Sequence, residues 1–91
     1  MPKVYHVQVQ STIKKPAEER LSVLGNYINL YNSSYLLLTD SNAQSIYEHL
    51  SAGLENPTIL IFECNIKANS YYGRANKAIW EWITEVRPKI K

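Results

Sequence analysis

Residues 27–50 read YINLYNSSYLLLTDSNAQSIYEHL and predict a strand, a polar turn, a second strand and a capped helix in unbroken order. Tyr27–Tyr31 and Tyr35–Thr39 are rich in the aromatic and aliphatic residues that favour strands. The polar residues 32–34 between them suit a tight connection. We therefore expect an antiparallel hairpin here.

A helix is predicted directly after this hairpin. Ser41 and Gln44 have the spacing of a capping box, in which two side chains satisfy the first free N–H groups of a helix. Ile46 and Leu50 then recur at helical spacing, and Gly53 supplies a left-handed stop. This is the second helix of the chain.

The N-terminal segment predicts the first strand and the first helix. Residues 4–10 alternate between an apolar and a polar face, as in a half-buried strand. The apolar face holds Tyr5, Val7 and Val9, and the polar face holds His6, Gln8 and Gln10. Pro16 suits the first turn of a helix, whose apolar stripe of Ala17, Leu21 and Leu24 ends near Gly25.

The C-terminal third predicts a last strand and a third helix. Thr58–Ile66 contains four consecutive apolar residues, so both of its faces are expected to be at least partly covered. A helix from about residue 75 to 87 is a natural cover for the second face of the sheet. Its apolar stripe consists of Ala75, Ala78, Ile79, Trp82, Ile83 and Val86.

The order of these elements predicts an α+β fold of ferredoxin-like type, βαββαβ, with a four-stranded antiparallel sheet and an additional C-terminal helix. With 91 residues and 45% hydrophobic content, the chain suffices for one domain, with its core at residues 3–66. A domain of this size buries only about 60% of its unfolded surface, which favours a partner subunit. We therefore expect a homodimer.

Charge and cysteine content say less about the partner and the cellular compartment than the strand and helix patterns say about the fold. A net charge of +2 is too small to identify a nucleic-acid binder. The single cysteine, Cys64, excludes an internal disulfide and suits a reducing cytoplasm. The chain has no apolar run long enough for a membrane span, and its opening residues do not resemble a secretory signal. We expect a cytoplasmic protein without membrane contact.

Four segments resemble the small ferredoxin-like proteins of the CRISPR-adaptation nuclease group, together with VapD-type ribonucleases and SinR-like proteins. They are KVYHVQVQ at the start, the hairpin INLYNSSYLLLTD, the A-x-x-I-x-x-x-L helix of residues 43–50 and the strand TILIFECNI. The resemblance covers roughly Lys3 to Ile66. It implies a symmetric dimer and, in the nucleases, an acidic residue at the end of the first strand for a shared metal ion. Gln10 occupies that position, and a neutral amide lacks the charge that a hard cation requires. We therefore predict no catalytic residue, metal or cofactor.

The best candidates for ligand contacts lie in the segment KANSYYGR, residues 67–74. Lys67, Tyr71, Tyr72 and Arg74 are residue types that stack on bases and contact phosphates, although a polar loop packed on the third helix would look the same. Lys14 and Lys15 would add phosphate contacts, or form an ordinary solvated pair.

Four residues are candidates for an interface: His6, Gln8, Gln10 and Trp80. The polar residues of the first strand would face a wet interface or a ligand. Trp80 lies off the apolar stripe of the third helix, so it is either exposed in a monomer or covered by a flanking loop. Glu63 interrupts the last strand, and it either faces solvent or pairs with a basic residue of a partner.

Three functions follow from these features. The first is a non-catalytic, homo-oligomeric protein that binds nucleic acid or a nucleotide. The second is a ribonuclease of the resembling family, with Tyr5, His6 and Gln10 as the residues to suspect. The third is a small inhibitor or regulator that docks on a larger protein through Trp80, as a phage or defence-system factor would.

Overall fold

The computed structural model describes residues 2–64 and 77–90. Its strands are β1 (Lys3–Val9), β2 (Asn26–Tyr31), β3 (Ser34–Thr39) and β4 (Ile59–Cys64). Its α-helices are α1 (Lys14–Leu24), α2 (Ala43–Ser51) and α3 (Lys77–Val86). Short 3₁₀ turns at Ser11–Ile13 and Arg87–Lys89 lead into α1 and follow α3.

The four strands form one antiparallel sheet in the order β2-β3-β1-β4. β1 is central, between β3 and β4, so residues at both ends of the chain meet on it. The predicted α+β architecture with a four-stranded antiparallel sheet is confirmed and is consistent with a ferredoxin-like fold.

One face of the sheet packs against α1 and α2 and forms the main core. The alternation of β1 is confirmed, because Tyr5, Val7 and Val9 are buried on this face. Ala17 and Leu21 from α1 and Ile46 and Leu50 from α2 meet them. Arg20 joins the two helices by donating from Nη1 to the carbonyl of Leu50 at 2.7 Å.

The other face carries a second, smaller core under α3. This core consists of Val4, Leu36, Ile79, Trp82, Ile83 and Val86. The third helix therefore covers the second face of the sheet, as predicted, and the sheet is that of its own chain. Ala78, which belonged to the predicted stripe, is exposed, because it lies beside the contacting face of α3. Residue 75, where this helix was expected to begin, lies outside the described residues.

One local prediction needs correction, and another is met only in part. Asn42, and not Ser41, caps α2, since Asn42 Oδ1 accepts a hydrogen bond from the backbone N–H of Ser45 at 2.8 Å. The prediction that both faces of β4 are at least partly covered is met unevenly on the second face. Cys64 packs at the edge of the second core there, whereas Leu60 and Phe62 remain 53% and 58% exposed.

Two glycines have the structural roles that their positions require. Gly53 follows α2 with φ of 74°, which confirms the predicted left-handed stop. Gly25 ends α1, and its backbone lies so close to the carbonyl of Leu38 that a Cβ atom would overlap it. The junction between α1 and β2 therefore depends on a residue without a side chain.

Candidate functional site

A polar cleft of about 490 Å³ lies where β1 ends. Three parts of the chain form it: the last residues of β1, the turn that leads into α1, and the tip of the β2–β3 hairpin. The lining residues are Gln8, Val9, Gln10, Ser11, Lys14, Asn32 and Ser33. We call this site the β1 cleft.

The hairpin side of the β1 cleft is held by backbone geometry. Asn32 has φ of 52°, a left-handed conformation that asparagine tolerates in tight turns. Asn29 Nδ2 donates to the carbonyls of Asn32 at 2.9 Å and Ser34 at 3.0 Å, which braces the turn. The N–H of Val9 donates to the carbonyl of Ser33 at 3.1 Å. These bonds fix the hairpin tip against the end of β1.

Gln10 forms the opposite wall and is tied to the start of β4. Its Oε1 accepts from the backbone N–H of Thr58 at 2.7 Å, while its own backbone N–H donates to the carbonyl of Thr58 at 3.0 Å. Its Nε2 donates to Thr12 Oγ1 at 2.7 Å. Both ends of the amide are therefore engaged within the chain, and the sequence alone gave no signal of this structural role.

Lys14 supplies the charge of the β1 cleft. Among the described residues that line it, Lys14 alone is charged. Its Nζ lies 3.9 Å from Glu18 Oε2, at the limit of an ion pair, and its side chain is 42% exposed. The same Glu18 oxygen accepts a hydrogen bond from the hydroxyl of Tyr35 at 2.8 Å. The carboxylate of Glu18 is thus shared between Lys14 and Tyr35.

The uncovered part of the second sheet face adjoins this cleft. In the register of the sheet, His6 lies between Leu36 and Phe62, and Gln8 lies between Ser34 and Leu60. Among the described residues, α3 packs at the other end of this face, near Val4. We call the surface formed by His6, Gln8, Leu60 and Phe62 the open face. The predicted polar character of this face is confirmed for β1, but β4 adds two large apolar side chains.

Trp80 occupies a different surface. It is partly buried and packs against the second core, which lies between the two alternatives of an exposed and a covered side chain. It lines a groove of about 360 Å³ along α3, together with Lys77, Glu81, Thr84 and Glu85. The four predicted interface residues therefore lie at more than one surface: His6 and Gln8 on the open face, Gln10 at the cleft and Trp80 on α3.

The residues predicted to contact a ligand also lie in different parts of the chain. Lys14 lies in the β1 cleft, and Lys15 is exposed beside it on α1. Lys67, Tyr71, Tyr72 and Arg74 lie outside the described residues, so their proposed contacts stay a prediction.

Cys64 and Glu63 have ordinary structural environments. Burial raises the pKa of the Cys64 thiol, and the charge of Glu63 adds to this effect, so the thiol stays protonated. Cys64 packs at the edge of the second core. Glu63 is exposed and pairs with Lys3 of its own chain at 3.4 Å, so solvent and an intrachain partner both account for it.

Within residues 2–64 and 77–90, no group of three His, Cys, Asp or Glu side chains is placed to hold a metal ion. In the same ranges, no helix has the length and hydropathy needed to cross a membrane.

The comparisons with known proteins leave the family open. No protein-family model, curated protein or solved structure matches the chain. The resemblance to the CRISPR-adaptation nuclease group therefore stays a prediction from the sequence motifs.

Proposed function

We propose that this chain is a small cytoplasmic binding protein that takes a nucleotide or a nucleic acid in the β1 cleft without catalysing a reaction. The observation that carries this proposal is the composition of the cleft: amide and hydroxyl groups surround one lysine. Lysine binds phosphate as a point charge, and side-chain amides and hydroxyls both donate and accept hydrogen bonds. Such a set matches a ligand that is anionic on one side and polar on the other.

The position of Lys14 makes it the phosphate contact. Lys14 is the first residue of α1 and lines the cleft together with Ser11 and with Ser33 of the hairpin tip. Gln8 presents a side-chain amide on the β1 side of the same cleft, and its residue is exposed. A phosphate at Lys14 would therefore leave the base or sugar within reach of neutral hydrogen-bonding groups.

The geometry favours binding over the ribonuclease alternative. Gln10 uses both ends of its amide within the chain. Tyr5 is buried on the face that α1 and α2 cover, whereas His6 lies on the opposite face. Side chains on opposite faces of one strand cannot act on the same bond. The three residues suspected for cleavage thus do not form one site.

A homodimer through α3 is part of the proposal. The groove beside Trp80 has Lys77 at one end and Glu85 at the other. Two copies of α3 packed antiparallel would bring each Lys77, which lies 3.7 Å from Glu81 of its own helix, near the Glu85 of the other copy. The Lys77–Glu85 pairs would be attractive, whereas the two Glu81 side chains would meet at the centre and oppose them. Sedimentation of Glu85→Lys should show weaker association, and the double change Lys77→Glu with Glu85→Lys should restore it. If neither variant changes the association measured by sedimentation, the dimer contact does not involve α3.

The central test measures binding of labelled oligonucleotides and nucleotides by fluorescence anisotropy as salt is varied. We expect Lys14→Gln to weaken binding several-fold and to flatten its salt dependence, because one phosphate contact is lost. Lys3→Gln is the matched control: Lys3 lies at the other end of β1, is half-exposed and also pairs with a glutamate, at 3.4 Å. Equal effects of the two changes would mean that net charge, and not the β1 cleft, attracts the ligand. If no probe binds and one protein copurifies in fixed ratio, the inhibitor or regulator alternative replaces this proposal.

A further inference from the structure

We infer that the open face binds the unstacked bases of a single-stranded nucleic acid, with Phe62 as the stacking surface. This inference rests on the proposed function, because it requires the phosphates to be held at the β1 cleft. It extends the site from one phosphate contact to a surface that distinguishes single strands from duplexes.

The first observation is the exposure of two neighbouring apolar side chains. Phe62 is 58% exposed and Leu60 is 53% exposed, and both point to the same side of β4 because they are two residues apart. Single large apolar residues on a surface are common, but here an aromatic ring, an aliphatic side chain and an imidazole are adjacent across two strands. An aromatic ring beside a strand-bound histidine is the type of surface on which nucleic-acid bases stack.

The second observation is continuity with the β1 cleft. Gln8 belongs to both surfaces: it lines the cleft, and it lies directly opposite Leu60 in the sheet. His6, opposite Phe62, is two residues further along β1, which is about 7 Å at about 3.3 Å per residue. A chain that leaves the cleft along β1 therefore passes Gln8 first and reaches Phe62 next.

Charge favours a polyanion over a second copy of this face. Among the described residues of the cleft and the open face, Lys14 and His6 are the basic groups and no side chain is acidic. Glu63, the neighbour of Phe62, lies on the other side of β4 and pairs with Lys3. A second copy of this face would offer Lys14 and His6 no acidic partner, whereas a polyanion supplies one; the carboxylate of Glu18 beside Lys14 is already shared with Tyr35.

The surface suits single strands because stacking on a protein ring requires a base that has left its own stack. In a duplex the faces of the bases are already covered by their neighbours, so Phe62 would find no partner. Stacking is tolerant of sequence, since every base has a flat aromatic face. We therefore expect little preference among bases and a strong preference for single strands.

The experiment uses the full chain and a fluorescein-labelled oligouridine of about 12 nucleotides, within the usual range of site sizes. Phe62→Ala should weaken binding at least about five-fold, in line with alanine substitution of a stacking ring. Its salt dependence should stay that of the wild type, because the phosphate contact at Lys14 is untouched. Phe62→Tyr keeps the ring and should retain the affinity, and Leu60→Ala is the control for loss of exposed apolar surface alone.

Each outcome separates the inference from the proposed function. If Lys14→Gln weakens binding and Phe62→Ala does not, the cleft binds the ligand and the inference about the open face is overturned. A duplex that binds as tightly as the single strand overturns it as well. If Phe62→Ala changes the mass measured by light scattering and leaves affinity unchanged, the open face joins two copies of the chain instead. Failure of both variants to change affinity removes the proposed function itself.

Discussion

The indole N–H of Trp82 donates a hydrogen bond to Oδ1 of Asn26 at 3.0 Å, and this bond attaches α3 to the edge strand β2. Trp82 is only 7% exposed, so its polar atom has little access to water. A buried N–H group requires a partner, and Asn26 provides it. The bond thus joins α3 to β2, the edge of the sheet opposite β4.

Removing the acceptor should destabilise the chain. Asn26→Ala leaves the indole N–H of Trp82 without its partner, and we expect a loss of about 1–3 kcal/mol in the free energy of unfolding. Urea denaturation followed by tryptophan fluorescence measures it. Trp82→Phe provides the second arm of a double-mutant cycle: in its presence, Asn26→Ala should cost much less. Fully additive losses would mean that the two side chains act independently.

The capping residue of α2 gives a direct comparison of two neighbouring side chains. Asn42→Ala removes the acceptor for the N–H of Ser45 and should cost about 0.5–2 kcal/mol of stability. Ser41→Ala is the matched control, and we expect it to change stability by less than about 0.5 kcal/mol. Thermal unfolding of both variants shows which substitution loses more stability. A larger loss of stability for Ser41→Ala would mean that Ser41 caps α2, as the sequence predicts.

Alkaline stability should depend on Tyr35. Burial of its ring, followed by the hydrogen bond to Glu18, raises the pKa of Tyr35 above its ordinary value of 10.0. Because the folded pKa lies above the unfolded one, the stabilisation is complete below about pH 10 and is lost as the pH rises further. Unfolding curves from neutral pH to above pH 10 should show this decline. Tyr35→Phe should be less stable at neutral pH but should lose less stability in alkali; an unchanged alkaline decline would assign it to other tyrosines.

The sequence predicts the features that depend on neighbours along the chain. The alternation of Tyr5 and His6 gives the two faces of β1, and the polar residues before Tyr35 give the hairpin. The stripe that contains Ile79 and Val86 gives a helix with one apolar side. Each of these patterns is set within a few residues, where the periods of strand and helix differ clearly. The cap of α2 was misplaced by one residue because Ser41 and Asn42 are both good caps.

The β1 cleft could not be predicted because its parts are distant in sequence. Gln10 meets Thr58, which is 48 residues away, and Val9 meets Ser33 at the hairpin tip. Only the register of the sheet brings these residues together. The degree to which Phe62 is exposed could not be predicted for a different reason: an apolar run indicates that a strand can be buried, but the elements that pack on it decide how far it is.

The family resemblance is tested by restoring the carboxylate that it implies. In Gln10→Glu, a carboxylate can still accept from the N–H of Thr58 and can accept from the hydroxyl of Thr12, so the fold should be retained. The new negative charge would lie in the β1 cleft near Lys14, and we expect oligonucleotide binding to weaken several-fold without added divalent cation. Gln10→Ala is the control, since it loses both hydrogen bonds without adding charge. If Gln10→Glu instead gains RNA cleavage that depends on a divalent cation, the chain retains the nuclease framework and Gln10 alone holds it inactive. Weaker binding without cleavage would show that the cleft is built for an anion and not for a metal ion.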